Sequence, residues 1–163
     1  MKIIHAHLSI DTREQRPYTF ADCASKHVDF EIERAGLPTG DYAAALYADA
    51  PPSETLLIER KSHSDFLGSI SHGRERLEAE IERAAGYGWF GIVVEAGFAD
   101  LIQRPGGINP SSIVGTVCAF MQRHNVHILF AGNRDYAERM TWRMCERWVR
   151  DRALALTESE VAA

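Results

Sequence analysis

Three consecutive charges, Glu59-Arg60-Lys61, close an apolar run, Leu56-Leu57-Ile58, that otherwise reads as a buried strand. A break of this kind in a core pattern marks a site. Side chains alternate across a strand, so Glu59 and Lys61 share one face and Arg60 takes the other. Upstream, Asp41 to Tyr47 reads as another strand, and Asp49-Ala50-Pro51-Pro52-Ser53 between the two is turn material. A hairpin centred near Ala50 and Pro51 sets Asp41 opposite the Glu59–Lys61 end, so that two carboxylates and an ammonium converge. Hard divalent cations such as Mg²⁺ or Mn²⁺ bind through one or two carboxylates, with water and substrate phosphate completing the shell, and Asp41 and Glu59 fit that pattern. A lysine beside such a metal orients or deprotonates the attacking water, or stabilises charge building on phosphorus. The chemistry implied is metal-assisted phosphodiester hydrolysis.

The remaining elements must carry this hairpin. Residues 2 to 10 alternate, with Ile4, Ala6, Leu8 and Ile10 on one face and His5, His7 and Ser9 on the other, a half-buried first strand. His5 and His7 have the spacing of a metal pair, yet no Cys or further His nearby completes a zinc set, so they read as surface histidines. Val28 to Glu33 gives a second strand, and Gly40 supplies backbone freedom just before Asp41. After Lys61, Ser62-x-x-Asp65 matches a capping box at the start of a helix; Asp65 is either its cap or a member of the site. The helix breaks near His72-Gly73 and restarts at Arg74, with Leu77, Ile81, Ala84 and Ala85 as its buried stripe and Arg76, Glu80 and Arg83 beside it. Trp89 to Glu95 is the most apolar strand and is expected at the sheet centre. Its last residue, Glu95, reads as a solvated strand end or as a neighbour of the metal. Asn109-Pro110 starts a helix whose core face is expected to be Ile113, Val114, Val117, Cys118 and Met121. Val126 to Ala131 is a sixth strand. A last helix from about Arg134 to Arg150 should bury Ala137, Met140, Thr141, Met144 and Trp148. The fold class expected is α/β, a mixed sheet of about six strands flanked by helices, with one domain over residues 1–151 and a polar tail over 152–163.

Gly40-Asp41, an intervening stretch, Glu59-Arg60-Lys61, three residues and then Asp65 resemble the signature of the XPF family of structure-specific DNA endonucleases, whose catalytic core has a restriction-endonuclease-like fold. The run from Asp11 to Tyr18 looks like that of the single-domain phage and bacterial members, and the similarity extends from Met1 to about Arg150. The resemblance implies a Mg²⁺-dependent endodeoxyribonuclease acting on branched, flapped or forked DNA in repair, recombination or phage replication. It also implies that Asp11 joins Asp41, Glu59, Lys61 and Asp65 in the acidic site. Arg60, Arg13, Glu14, Arg76 and Glu80 then stand in support. Composition alone favours reading Asp11-Thr12-Arg13-Glu14 as a polar loop after a strand. No segment looks like the helix-hairpin-helix modules of full-length relatives.

A chain of 163 residues can bury roughly 70% of its unfolded surface without a disulfide or structural metal. Three widely spaced cysteines, Cys23, Cys118 and Cys145, fit a reduced cytoplasmic protein, and no signal peptide or membrane span is expected. The net charge of -5 weighs against tight non-specific DNA binding, because that affinity comes largely from Lys and Arg. A homodimer is therefore expected, with the last helix as its seam through Met140, Trp142, Met144 and Trp148. Two other readings remain open: a non-catalytic nuclease-fold module that binds DNA or pairs with another subunit, and a restriction-type or resolvase-like nuclease of the same fold.

Overall fold

The structure is a computed structural model that describes residues 3–162, with side chains described as far as Ser159; Lys2 of the expected first strand and Ala163 of the expected tail lie outside it. Six strands form one sheet: β1 (Ile4–Asp11), β2 (Val28–Ala35), β3 (Tyr42–Ala45), β4 (Leu56–Lys61), β5 (Trp89–Val94) and β6 (His127–Phe130). Their order across the sheet is β2-β1-β3-β4-β5-β6. Only β3 runs against its neighbours; β1 with β2 and the β4-β5-β6 block are parallel. The mixed α/β sheet expected from the strand and helix pattern is therefore the one observed. The sheet centre differs from expectation, because β3 and β4 occupy it and β5 lies one place from the β6 edge.

The helices are α1 (His63–Ile70), α2 (Arg74–Ala84), α3 (Phe98–Gln103), α4 (Pro110–His124) and α5 (Arg134–Ala162). On one face of the sheet, Ala6, Leu8 and Ile10 of β1 join Tyr42, Ala44, Leu56, Ile58 and Val93 under α5. On the other face, Ile92, Val94 and Ile128 pack against residues of α1, α2 and α4, among them Phe66, Leu77, Ile81, Ile113 and Phe120. This second cluster covers β5 and β6, and Leu57 of β4 packs beside it with Ala43 and Ala84 in a small cluster of its own. The outer faces of β1 and β2 instead carry His5 against Asp29 and His7 against Glu31, at 3.4 and 3.7 Å, so both histidines are the surface residues their sequence context suggested.

Four helix expectations are corrected. In α4 the buried row is Ile113, Val117 and Phe120, while Val114, Cys118 and Met121 are exposed. The apolar arc is wide enough to rotate, and the rotation that buries the large phenyl ring removes more apolar surface from water. In α5 the row against the sheet is Ala137, Thr141, Cys145 and Val149, with Met140, Met144 and Trp148 half-buried at its flank. Small side chains let the helix axis approach the sheet, and the long ones spread sideways. The helix also does not stop at Arg150 but runs on to Ala162, because Arg152-Ala153-Leu154-Ala155-Leu156 contains good helix formers and neither Gly nor Pro. Finally, Ala85 is exposed at the end of α2 instead of joining its buried stripe.

Candidate active site

β1, β4 and β5 run in one direction, so their carboxyl ends meet the amino end of β3 along one rim of the sheet. In open α/β sheets ligands bind in the crevice beyond such ends. Backbone bonds continue past the strands and tie this rim together. The Asp11 amide donates to the Asp41 carbonyl at 2.8 Å, the Asp41 amide to the Ile58 carbonyl at 2.8 Å, and the Glu95 amide to the Lys61 carbonyl at 2.9 Å. Tyr42 pairs with Ile58, which places Asp41 beside Glu59 as the hairpin reading required. Gly40 before it has φ +76°, and a Cβ there would lie 2.7 Å from the Leu57 side chain, so this position needs glycine on both counts.

A cleft of about 880 Å³ opens over this rim. Its floor holds Asp41, Glu59 and Lys61. The Asp41 Oδ2 accepts the Arg60 amide at 2.7 Å, which aims the carboxylate at Glu59's strand end. Lys61 Nζ lies 2.8 Å from Glu59 Oε1 and 3.4 Å from Glu80 Oε2. Burial raises the pKa of Asp41, and the neighbouring Glu59 carboxylate raises it further. Burial likewise raises Glu59, opposed by the Lys61 ammonium. For Lys61, burial favours the neutral amine, but Glu59 and Glu80 outweigh it and keep the pKa above its ordinary value. Lys61 is thus an ammonium in this arrangement, suited to stabilising negative charge.

The other expected residues divide. Asp11 is buried, but Arg13 and the Leu37 amide occupy its carboxylate: Arg13 Nε at 2.9 Å, Nη2 at 2.8 Å and backbone N at 2.7 Å, and Leu37 N at 3.0 Å. The Arg13 hydrogen bonds hold its pKa down at about 2. Asp11 and Arg13 line the cleft as a closed pair. Ser62 caps α1, its Oγ accepting the Asp65 backbone N–H at 3.2 Å and donating to Asp65 Oδ2 at 2.6 Å, so the Asp65 carboxylate is engaged in holding the capping hydroxyl. Glu14 reaches the cleft with Oε2 3.4 Å from Arg60 Nη1, and Arg76 and Glu80 line the α2 wall.

Arg60 points away from the floor, as alternation required, into a bidentate pair with Glu95 at 2.7 and 2.9 Å. Glu95 is therefore not a solvated strand end: its side chain is 9% exposed, and Arg134 Nη1 also donates to it at 2.8 Å. Burial alone would raise the Glu95 pKa, but the Arg60 hydrogen bonds bring it below the usual value. Sequence reasoning missed Arg134, and also Arg16 and His72 at the cleft. His72 lies in the turn between α1 and α2, outside either helix, so no helical period could have placed it at the cleft, whereas Arg76, Glu80 and Arg83 are the stripe that the spacing showed. Arg134 is distant in sequence from every partner and leaves no local signal.

A model of the ERCC4 domain matches residues 10–144. The chain belongs to the ERCC4 domain family. Among solved structures, this ERCC4 domain is similar to XPF from Aeropyrum pernix, with a TM-score of 0.64 and 23% identity over 94% of this chain and 68% of the other. It is similar as well to XPF from Aeropyrum pernix in complex with DNA, with a TM-score of 0.60 and 24% identity over 92% of this chain and 66% of that one. The ERCC4 domain described here thus spans about two thirds of the length of those proteins, and it has the XPF nuclease fold that the resemblance implied. No curated protein sequence matches.

Among the described residues no group of three His, Cys, Asp or Glu side chains forms a metal set. Two desolvated carboxylates on an open cleft floor nevertheless fit a hard cation that keeps several waters and takes its remaining oxygens from phosphate.

Two predictions follow from these charges. The folded pKa of Asp11, about 2, lies below its ordinary 3.8, so the unfolded chain takes up the proton first. The Asp11–Arg13 pair then contributes stability above about pH 4 that is lost as pH falls through 2, roughly 1–2 kcal/mol in all. Denaturant melts from pH 6 to 2 should show this loss, and Asp11→Asn should flatten it. Asp41 shifts the other way, so its charge destabilises the metal-free fold at neutral pH. Asp41→Asn should raise the metal-free melting temperature by about 2–4 °C for each kcal/mol relieved, read by calorimetry in the presence of a chelator.

Proposed function

We propose that this ERCC4 domain is a divalent-metal-dependent DNA endonuclease that cuts branched, flapped or forked duplexes in repair, recombination or phage replication. The observation that carries this reading is the convergence of Asp41, Glu59 and Lys61 on the floor of an open cleft. XPF from Aeropyrum pernix has been seen in complex with DNA, which supports DNA as the polymer. Asp41 and Glu59 would hold Mg²⁺ or Mn²⁺, which when bound polarises a phosphoryl oxygen and makes water nucleophilic at neutral pH. Lys61, kept protonated by Glu59 and Glu80, places its positive charge where the phosphorane oxygens become more negative. Glu80 holds the ammonium from the α2 side, while Arg76, exposed on the same wall, offers a phosphate contact. Arg60 holds the strand end from behind. Asp11 and Asp65 act in this reading as the anchor of Arg13 and the partner of Ser62, the cap of α1, respectively.

The catalytic unit is residues 1–151, with the remainder of α5 an extension of it. The free cysteines fit a reducing cytoplasm, and no helix among the described residues is long and apolar enough to cross a membrane.

The test is a panel of labelled flap, fork, Holliday-junction and linear duplexes with and without Mg²⁺. Cleavage should require the metal, favour the branched forms over linear duplex, and fall by about 10²–10⁴ in Asp41→Ala, Glu59→Ala and Lys61→Ala. Retained cutting by folded Lys61→Ala would overturn the reading.

The proposal extends to a homodimer, because an acidic domain of this size gains phosphate contacts by pairing. The seam expected along α5 needs revision: Trp142 is 7% exposed and packs between Phe20 and Phe30, leaving Met140, Met144 and Trp148 as the half-buried residues at that flank. Light scattering at micromolar concentration should give twice the single-chain mass of 18.2 kDa; a mass of one chain, unchanged by junction DNA, ends the dimer proposal.

A further inference from the structure

Sixteen residues without helix or strand, 12–27, join β1 to β2, and their first part forms one wall of the cleft through Arg13, Glu14, Gln15 and Arg16. A connection this long inside a compact fold stays in place only if its polar backbone is held. Two guanidinium groups from distant elements do so. Arg34 of β2 donates to the carbonyls of Thr12 and Glu14 at 3.1 and 2.9 Å. Arg134, at the start of α5, donates from Nη2 to the carbonyls of Arg16 and Pro17 at 2.7 and 3.2 Å.

The two arginines are not equivalent. Arg34 is exposed on the edge strand, whereas Arg134 is held in one pose. Its Nη1 donates to the buried Glu95, and its guanidinium lies 4.9 Å from the centre of the Tyr18 ring. The planar fork allows one side chain to meet a carboxylate and backbone carbonyls together, which an ammonium does poorly. Glu95 fixes that fork, and the same carboxylate binds Arg60 directly behind Glu59 and Lys61. One buried acid thus ties the loop wall to the strand that carries the floor.

We propose that Glu95 and Arg134 are positioning residues that hold the Thr12–Pro17 loop as a wall of the cleft, so that the pair governs capture of the nucleic-acid substrate and not the chemical step. This inference rests on the nuclease reading above. The division between capture and chemistry comes from the supports: Asp41, Glu59 and Lys61 sit on strand ends joined by backbone hydrogen bonds that do not involve Arg134. Untethering Arg16 and Pro17 loosens the stretch that follows Arg13 and moves Arg16, while Asp11 and Leu37 keep the Arg13 side chain and the floor stays where it is. A purely structural role for Arg134 in starting α5 is already filled by Asn133, whose Oδ1 accepts the Tyr136 amide at 2.8 Å.

The experiment compares wild type, Arg134→Gln and Arg134→Lys in steady-state cleavage of a forked duplex with Mg²⁺, and in limited trypsin digestion of the DNA-free protein. Trypsin reports the loop directly, because the Arg13–Glu14 bond lies within it while Arg16 precedes proline and resists cutting. Arg134→Gln should raise KM about five- to tenfold with kcat within about twofold, and should speed cleavage after Arg13 at least about threefold. Arg134→Lys, which keeps the charge and loses the fork, should lie between. An unchanged KM in an active enzyme overturns the proposal, as does a loss confined to kcat or to melting temperature. Cleavage after Arg13 at the wild-type rate in the variants overturns it as well. If wild type cuts no DNA, the nuclease reading fails by itself, and faster trypsin cleavage of Arg134→Gln still upholds the loop anchor.

Discussion

Asp41 is pinned from three directions by the backbone: its amide donates to Ile58, its carbonyl accepts from Asp11, and its side chain accepts the Arg60 amide. Everything at the cleft floor depends on that pinning. A carboxylate losing water beside a second carboxylate would swing away if its chain allowed, since like charges at close range repel more strongly as the surroundings become less polar. The sheet does not allow it. Cooperative strand pairing offsets the repulsion, and the two acids stay side by side, as the metal role proposed for them requires.

The charge behind the floor is treated in the opposite manner. Arg60, Glu95, Glu14 and Arg134 form a closed set in which every buried charge has a partner, and the Tyr18 ring lies against both guanidiniums. A buried charge is tolerable when paired and hydrogen-bonded, and costly when one partner is missing. The molecule therefore keeps two neighbouring layers, one in which the charges are neutralised and one in which carboxylates crowd together. Consecutive residues of β4 divide between them: Glu59 and Lys61 face the crowded layer, Arg60 the neutralised one.

The hairpin, its register and the convergence of Asp41, Glu59 and Lys61 were legible because they follow from local rules, the period of two along a strand and the turn at Ala50-Pro51. The capping role of Asp65 was legible as one of two options, since Ser62-x-x-Asp65 fits both. What could not be read depended on partners far apart in the chain. Glu95 looked like a solvated strand end because nothing near it in sequence announces Arg60 or Arg134. The rotation of α4 and α5 was misjudged for a different reason. Both helices carry apolar residues around more than half their circumference, so periodicity fixes the helix but not which row faces the sheet; Phe120 and the small-residue row of α5 decide that through packing. Asp11 belonged to the expected acidic site, yet Arg13, two residues on, folds back to occupy its carboxylate, a contact that a strand-and-loop reading does not foresee.

The outermost strand, β2, leaves one side of its backbone without a strand partner, the usual starting point for uncontrolled strand addition. Its sequence alternates Asp29, Glu31 and Glu33 along the outward face. Two such strands laid side by side would bring rows of carboxylates together with no cations interleaved, and the other edge, β6, offers only four residues to pair with. The sheet is thereby terminated electrostatically at one side and by brevity at the other. Edge-to-edge stacking is disfavoured by charge at one side and by length at the other.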